Sequence, residues 1–162
     1  MRLIRTRGRI MALFLSLGAF LIDRITKIMV LSSEFARSGN DTRVLPGIFS
    51  FSFAWNRGAA FSVLRDHPGW LLFLTTVILV LVAAIVFLPK REDLLSRLSL
   101  SLILGGGLGN LLDRFLYGAV VDFIRLDFIN FPIFNCADIA VTAGVVLFGL
   151  GAFRPLGRKG KG

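Results

Sequence analysis

The chain has 162 residues, of which 55% are hydrophobic and only 18% are charged, and its net charge is +9. This length corresponds to one domain, and the apolar fraction exceeds what a soluble domain needs, so the composition argues against a soluble globular protein. The chain has one cysteine, Cys136, and one histidine, His67. An internal disulfide and a metal site built on several thiolates are therefore excluded, and HExxH zinc sites and Ser-His-Asp catalysis lack most of their residues.

The excess positive charge lies in three segments, which are before the first apolar run, between the second and the third, and after the fourth. Eleven bases and two acids precede the first apolar run, separate the second from the third, or follow the fourth, and they account for the whole net charge of +9. The residues are Arg2, Arg5, Arg7, Arg9, Lys90, Arg91, Arg97, Arg154, Arg158, Lys159, Lys161, Glu92 and Asp93. This asymmetry predicts a four-span membrane protein with both termini in the cytoplasm. Nucleic acid is not an expected partner, because no aromatic and basic face accompanies the charge.

The first predicted span covers about 10–31 and begins like a signal peptide, but no A-x-A cleavage site follows, so we expect an uncleaved span. Asp23 and Lys27 lie near its outer end, four residues apart with the acid first, which is the favourable order for a helix pair. Two interpretations stay open. The pair either neutralises itself at the end of a span or has a direct role.

The first outer loop is predicted to cover 32–69. Its first part, Ser32 to Thr42, is polar, and we expect it to be irregular. The run from Ile48 to Trp55 alternates phenylalanine with small or polar residues, which favours a strand in a short sheet on the membrane surface. Phenylalanines of this run are candidates to cover a bound peptide. The segment from Asn56 to Phe61 then predicts a turn.

The remaining spans are predicted at about 70–88, 98–114 and 138–153, with a second outer loop at 115–137, a basic tail at 154–162, and a single domain over 1–162. Gly105 and Gly109 form a small-xxx-small pair, which permits close approach of a neighbouring helix in a membrane. Gly106, Asn110 and Asp113 or Arg114 follow at helical spacing. The third span is therefore expected to end in a polar face that needs a partner or a ligand.

Polar residues gather at the predicted outer ends, and Asp122 and Asp138 lie in apolar surroundings where a lone carboxylate is costly. If these two meet, one keeps a proton while the other accepts one from water, which suits hydrolysis of a peptide bond. Local roles also remain open. Asp122 can hydrogen-bond its own turn, Asn135 and Asp138 fit a helix N-cap and its third residue, and Asp113 competes for one position of the pair.

Two other classes of protein fit acids in membrane spans. One is a small proton-coupled transporter or channel, although no inverted repeat is evident and the acids do not lie near the midplane. The other is a non-catalytic membrane scaffold, which would tolerate loss of both aspartates.

Five segments, in order along nearly the whole chain, carry a resemblance to a known family. They are Asp23-Arg24-Ile25-Thr26-Lys27, Asn56-Arg57-Gly58-Ala59-Ala60-Phe61, Gly105-Gly106 through Gly109-Asn110-Leu111-Leu112-Asp113-Arg114, Val120-Val121-Asp122-Phe123 and Phe134-Asn135-Cys136-Ala137-Asp138. The sequence thereby resembles the lipoprotein signal peptidases, the type II signal peptidases of bacteria. One departure is the cysteine at position 136, where the family accepts small or apolar residues.

The resemblance implies a membrane α fold with four transmembrane helices, and a small β-sheet cradle and short helix on the outer face. It implies an aspartyl endopeptidase without metal or cofactor, acting in the bacterial inner membrane at its outer face. The substrate would be a diacylglyceryl-modified prolipoprotein, cut on the amino side of the lipidated cysteine. Membrane lipid and a globomycin-type inhibitor are the other expected partners, and a monomer is expected.

By motif, the resemblance makes Asp122 and Asp138 the catalytic pair. It assigns the substrate cleft and its support to eight further residues, which are Asn56, Gly58, Asn110, Asp113, Arg114, Asn135, Asp23 and Lys27.

Overall fold

The structure is a computed structural model that describes residues 2–58, 67–87 and 94–152. In these ranges it contains the helices α1 (Arg2–Ser32), α2 (Glu34–Ser38), α3 (Pro68–Phe87), α4 (Leu94–Tyr117) and α5 (Cys136–Ala152). The strands are β1 (Thr42–Leu45), β2 (Phe49–Asn56) and β3 (Val120–Leu126). The predicted basic tail, the charged turn at 88–93 and the motif residues Ala59 to Phe61 lie outside the described residues.

Helix α4 is the centre of the bundle and packs against α1, α3 and α5. Three consecutive glycines make this possible, because successive residues of a helix point in directions about 100° apart. A Cβ at Gly105 would meet Ala19 of α1 at 2.9 Å, one at Gly106 would meet the carbonyl oxygen of Ala137 in α5 at 2.5 Å, and one at Gly107 would collide with Leu79 of α3. The predicted close approach at Gly105 is thus confirmed, and each of the three glycines lets a different neighbouring helix approach α4.

A three-stranded antiparallel sheet in the order β1-β2-β3 caps one end of the bundle. Its inner face joins the end of α1 through a cluster in which Val30, Val121 and Phe123 are buried and Phe51 and Phe53 pack against them. The predicted strand is therefore present. Phe51 and Phe53 pack against this cluster and remain partly exposed, and their role in covering a bound peptide stays a prediction.

The segment between α1 and β1 is not irregular as expected, because it forms the short helix α2. Ser33 caps the helix, with its hydroxyl accepting a hydrogen bond from the N–H of Ala36 at 3.4 Å. Gly39 ends it in the left-handed conformation, at φ 70°. Capping residues at both ends explain how so short a polar run becomes helical, and α2 matches the short outer helix that the resemblance implies.

The described parts of the four ranges predicted as spans lie in helices, and residues 88 and 153 lie outside the described residues. In the described part of the chain, two of these, α3 and α4, are long and apolar enough to cross a membrane, and α5 contains a shorter apolar helix, Cys136–Gly151. Large apolar side chains face outward on the bundle, including Phe14 of α1, Val80 of α3 and Leu150 of α5, each more than 60% exposed. An apolar exterior of this extent is typical of a lipid-facing surface.

We predict that Gly106→Ala destabilises the bundle, because the new methyl group has no room against the backbone of α5. Overpacking of this kind costs about 1–3 kcal/mol. Unfolding of the purified protein in detergent measures the effect. Gly18→Ala is the matched control, since a Cβ there meets nothing within 4 Å, and it is expected to leave stability nearly unchanged. Equal stability of the two variants would contradict the packing described for α4.

Candidate active site

A cleft of about 930 Å³ opens where the sheet, the end of α4 and the start of α5 meet. Six of the residues predicted for the site line it, and these are Asn56, Gly58, Asn110, Arg114, Asp122 and Asp138. The other four predicted residues, Asp23, Lys27, Asp113 and Asn135, lie behind its wall. The structure therefore separates the predicted set into a layer that faces the cleft and a layer that supports it.

Asp122 lies on β3, opposite Ala54 of β2, and is almost completely buried. Two amide side chains donate to its carboxylate. The Nδ2 of Asn56 lies 2.9 Å from Oδ2, and the Nδ2 of Asn135 lies 2.6 Å from Oδ1. Asn56 also accepts the N–H of Gly58 at 3.0 Å, which orients its amide. Both carboxylate oxygens of Asp122 thus accept hydrogen bonds from side chains of other segments. Asp122 therefore does not hydrogen-bond only its own turn.

Asp138 is the third residue of α5 and forms a capping box with Asn135. The N–H of Asp138 donates to Oδ1 of Asn135 at 2.9 Å, and the N–H of Asn135 donates to Oδ2 of Asp138 at 3.2 Å. The predicted N-cap is therefore confirmed. The remaining oxygen, Oδ1, accepts the Nδ2 of Asn110 at 2.8 Å, so the same contacts that start the helix also fix the carboxylate in the cleft.

Asn135 connects the two aspartates and is completely buried. Its Nδ2 contacts Oδ1 of Asp122 at 2.6 Å and Oδ1 of Asn110 at 3.1 Å, while its backbone and amide oxygen are engaged with Asp138. Two carboxylates separated by sixteen positions in sequence therefore share one asparagine at one cleft. Sequence spacing alone did not predict this contact.

Behind the cleft lies a cluster of four charged side chains, which we call the charge cluster: Asp23, Arg24, Lys27 and Asp113. The Nζ of Lys27 lies 3.0 Å from Asp23 and 2.8 Å from Asp113, and Arg24 lies 2.9 Å and 2.7 Å from the same two carboxylates. Both aspartates are 0% exposed, and buried carboxylates of this kind need paired cations. The predicted ion pair of Asp23 and Lys27 is thus present, and it forms half of the charge cluster.

The charge cluster holds the backbone beside each member of the aspartate pair. Asp113 accepts the N–H of Val121 at 3.1 Å, and Asp23 accepts the N–H of Ala137 at 3.1 Å. These residues immediately precede Asp122 and Asp138. The Nζ of Lys27 also donates to Oδ1 of Asn110 at 2.8 Å, which leaves the Nδ2 of Asn110 free to face Asp138.

These contacts distinguish the surroundings of Asp113 from those of Asp122. Asp113 faces two cations and a backbone N–H, and it does not line the cleft, whereas Asp122 does. Gly109 makes room for the cluster, because a Cβ there would collide with the carboxylate of Asp23. Arg24 is the functional candidate that the sequence interpretation missed. Its position next to Asp23, in the first motif, was the available indication.

Arg114 organises the rim of the cleft. One guanidinium nitrogen donates to the carbonyl of Gly58 at 3.1 Å, and another donates to the carbonyl of Asn110 at 3.3 Å. The aromatic residues that line the cleft are Trp55, Phe131 and Phe134, and Trp55 is 44% exposed. These side chains give the cleft an aromatic surface.

The environment of Asp122 favours its protonated form. Burial, and next the nearby charge of Asp138, raise the pKa of Asp122 to about 7, against the opposing hydrogen bonds from Asn56 and Asn135. A carboxyl group with such a pKa changes protonation near neutral pH, which suits acid–base catalysis. The site can thus present one protonated and one ionised carboxyl group to a bound water.

Comparisons with known proteins agree with the residue pattern. The sequence model of the family described as signal peptidase (SPase) II matches residues 15–154. A lipoprotein signal peptidase of Pseudomonas paraeruginosa is 40% identical over 155 residues, covering 91% of this chain and 90% of that protein. One of Nostoc punctiforme is 42% identical over 137 residues, covering 84% and 85%.

Two solved structures have the same fold. One is described as a bacterial membrane enzyme determined by the in meso method at 2.3 Å resolution, with a TM-score of 0.83 and 27% identity over 93% of this chain and 92% of that one. A second, described in the same terms at 1.9 Å resolution, has a TM-score of 0.78 and 28% identity over 88% and 92%.

We predict that Asp122→Asn stabilises the protein at pH 8 more than at pH 5. Because the pKa of Asp122 is raised from 3.8 to about 7, protonation stabilises the folded state at low pH, and this contribution is lost as the pH rises through 7. Asparagine removes the buried charge that remains above pH 7. Unfolding temperatures of both proteins at the two pH values measure the difference.

Asp41→Asn is the control for this prediction. The hydrogen bond from Ser52, and then Arg125, lower the pKa of Asp41, so Asp41 is ionised at both pH values and its substitution should have the same effect at each. A stabilisation by Asp122→Asn that is equal at pH 5 and pH 8 would contradict the raised pKa.

Proposed function

Because this chain belongs to the signal peptidase II family, it is a protease that removes signal peptides from prolipoproteins, and we propose that Asp122 and Asp138 perform the hydrolysis. The observation that carries this assignment is the shared contact of both carboxyl groups with Asn135, at a cleft that they both line. No other aspartate of the described chain lines that cleft. Family membership leaves no basis for the transporter and scaffold hypotheses.

The proposed chemistry is general acid–base catalysis by the pair. A water between the two carboxyl groups gives a proton to the ionised aspartate as its oxygen attacks the carbonyl carbon of the scissile peptide bond. The protonated aspartate donates a hydrogen bond and then its proton towards the carbonyl oxygen. As the tetrahedral intermediate collapses, one aspartate gives its proton to the leaving amine and a hydroxyl of the intermediate returns its proton to the other, so the pair ends with one proton, as it began.

Asn56, Asn110 and Asn135 support this chemistry by their hydrogen bonds. Each donates an amide N–H to a carboxylate of the pair, which fixes the direction in which the remaining lone pairs or proton point. Such preorganisation is more effective in a buried site, where water does not compete for the same groups. Arg114 supports the cleft by joining the segment at Gly58 to the end of α4.

We propose that the substrate is a precursor with a diacylglyceryl group, cut on the amino side of the lipid-modified cysteine. The cleft offers both environments that such a substrate needs. One part of it is lined by apolar residues, including Ile133 between β3 and α5 and Ile139 and Ala143 of α5. The aspartates line another part. Acyl chains can then stay in lipid while the peptide bond meets water.

We propose a multi-pass topology in the bacterial inner membrane, with four spans (α1, α3, α4 and α5), cytoplasmic termini and the active site at the outer face. The length of α5, 17 residues, corresponds to ~25 Å, near the lower limit for crossing a membrane. The distribution of bases along the sequence supports the orientation. The proposed enzyme is a monomer, and a globomycin-type inhibitor is expected to occupy its cleft.

Asp122→Asn and Asp138→Asn are each predicted to reduce cleavage of a diacylated precursor by about 10²–10⁴-fold, because each removes one acid–base group of the pair. The measurement uses purified variants in detergent or lipid, with globomycin inhibition of the native enzyme as a companion test. Glu34→Gln is the matched control, an exposed acid on α2, and should cleave at the native rate. Near-native cleavage by Asp122→Asn or by Asp138→Asn would reject the assignment of these two residues as the catalytic pair.

The proposed orientation predicts which face of the membrane each loop occupies. In a Cys136→Ser background, Ser38→Cys should react with a membrane-impermeant thiol reagent in spheroplasts, because Ser38 is an exposed residue of the proposed outer loop. Lys161→Cys should react only after the membrane is permeabilised. Retained processing activity shows that the labelled variants are folded. Labelling of Lys161→Cys in intact spheroplasts would overturn the topology.

A further inference from the structure

We propose that Arg24 is a positioning residue for the reaction, because its guanidinium supplies the second positive charge that holds both carboxylates of the charge cluster in place. The proposal rests on the assignment of Asp122 and Asp138 as the catalytic pair. It concerns a residue that neither faces the cleft nor touches either member of the pair, so its effect must pass through other groups.

The cluster is neutral only when Arg24 is present. Asp23 and Asp113 each contribute a negative charge, and Lys27 and Arg24 each contribute a positive charge. A single guanidinium nitrogen, Nη2 of Arg24, lies 2.9 Å from Oδ2 of Asp23 and 2.7 Å from Oδ1 of Asp113. One nitrogen therefore bridges the two carboxylates through the oxygens that do not accept the backbone N–H groups.

Lys27 cannot take over this function. Its ammonium group already forms ion pairs with both carboxylates, at 3.0 Å to Asp23 and 2.8 Å to Asp113, and donates a hydrogen bond to Oδ1 of Asn110 at 2.8 Å. Without Arg24, two fully buried carboxylates would share one cation, and an uncompensated buried charge either takes up a proton or moves towards water.

Either response would disturb the aspartate pair, because each carboxylate of the cluster has a second contact. Asp113 accepts the N–H of Val121, and Asp23 accepts the N–H of Ala137. Protonation weakens these hydrogen bonds, and movement breaks them. The residues that follow are Asp122 and Asp138, so a small displacement of either backbone changes the distance between the reacting groups and the substrate.

Loss of Arg24 is therefore expected to lower kcat and leave KM nearly unchanged. The cleft that binds the substrate does not include Arg24 among its lining residues, so substrate binding does not depend on it. Misplacement of catalytic groups by about 1 Å can reduce a rate by about 10²-fold. A general loss of folding would instead reduce the amount of active enzyme and the unfolding temperature together.

The test compares Arg24→Met, Arg24→Gln and Arg24→Lys with the native enzyme, using a diacylated precursor. We expect kcat to fall about 10- to 100-fold in the Met and Gln variants with KM within about twofold. Lysine should restore most of the rate, because one nitrogen makes both contacts. Arg37→Met, which removes an exposed base from α2, is the matched control and should act like the native enzyme.

Hydrogen–deuterium exchange of the substrate-free protein gives a readout independent of cleavage. Peptides that contain Val121 and Ala137 should exchange faster in the Met and Gln variants than in the native and Lys proteins. Unchanged exchange with native kcat in Arg24→Gln would overturn the proposal, and so would a rise in KM at constant kcat. If the exchange result holds but the native protein fails to cleave the precursor, the function is wrong and the positioning role stands.

Discussion

The charge cluster is the interaction on which the rest of this structure depends. Two carboxylates with no exposed surface, Asp23 and Asp113, each pair with both Arg24 and Lys27, and buried carboxylates need such partners. Each carboxylate also accepts a hydrogen bond from a backbone N–H. These N–H groups belong to Val121 and Ala137, which directly precede the proposed catalytic residues. A buried ion network of this kind contributes less to stability than to geometry, because it leaves few arrangements in which every charge is satisfied.

The site also combines structural and chemical roles in the same residues. Asn135 begins α5 and contacts Asp122, and Asp138 completes the capping box and lines the cleft. Asp122 and Asp138 line one cleft and share Asn135. Two carboxyl groups in one buried site do not readily ionise together, which is the usual way in which one acid keeps a proton while its neighbour does not.

Sequence reasoning predicted the helices, the strand and the polar end of the bundle well, because apolar periodicity and motif order are local properties. It did not predict that Asp122 and Asp138 share Asn135, since this contact depends on how α5 and β3 pack against α1. Arg24 was missed because its second partner lies almost ninety residues away.

The most direct test of this account is a pH titration of the aspartate carboxyl carbons by 13C NMR in the purified protein, with Asp122→Asn used to assign the resonance of Asp122. If the carboxyl groups meet in a buried site as described, the Asp122 resonance titrates with a pKa of about 7. An Asp122 carboxyl that titrates near the ordinary value of 3.8 would show an exposed, isolated carboxylate and would contradict the account.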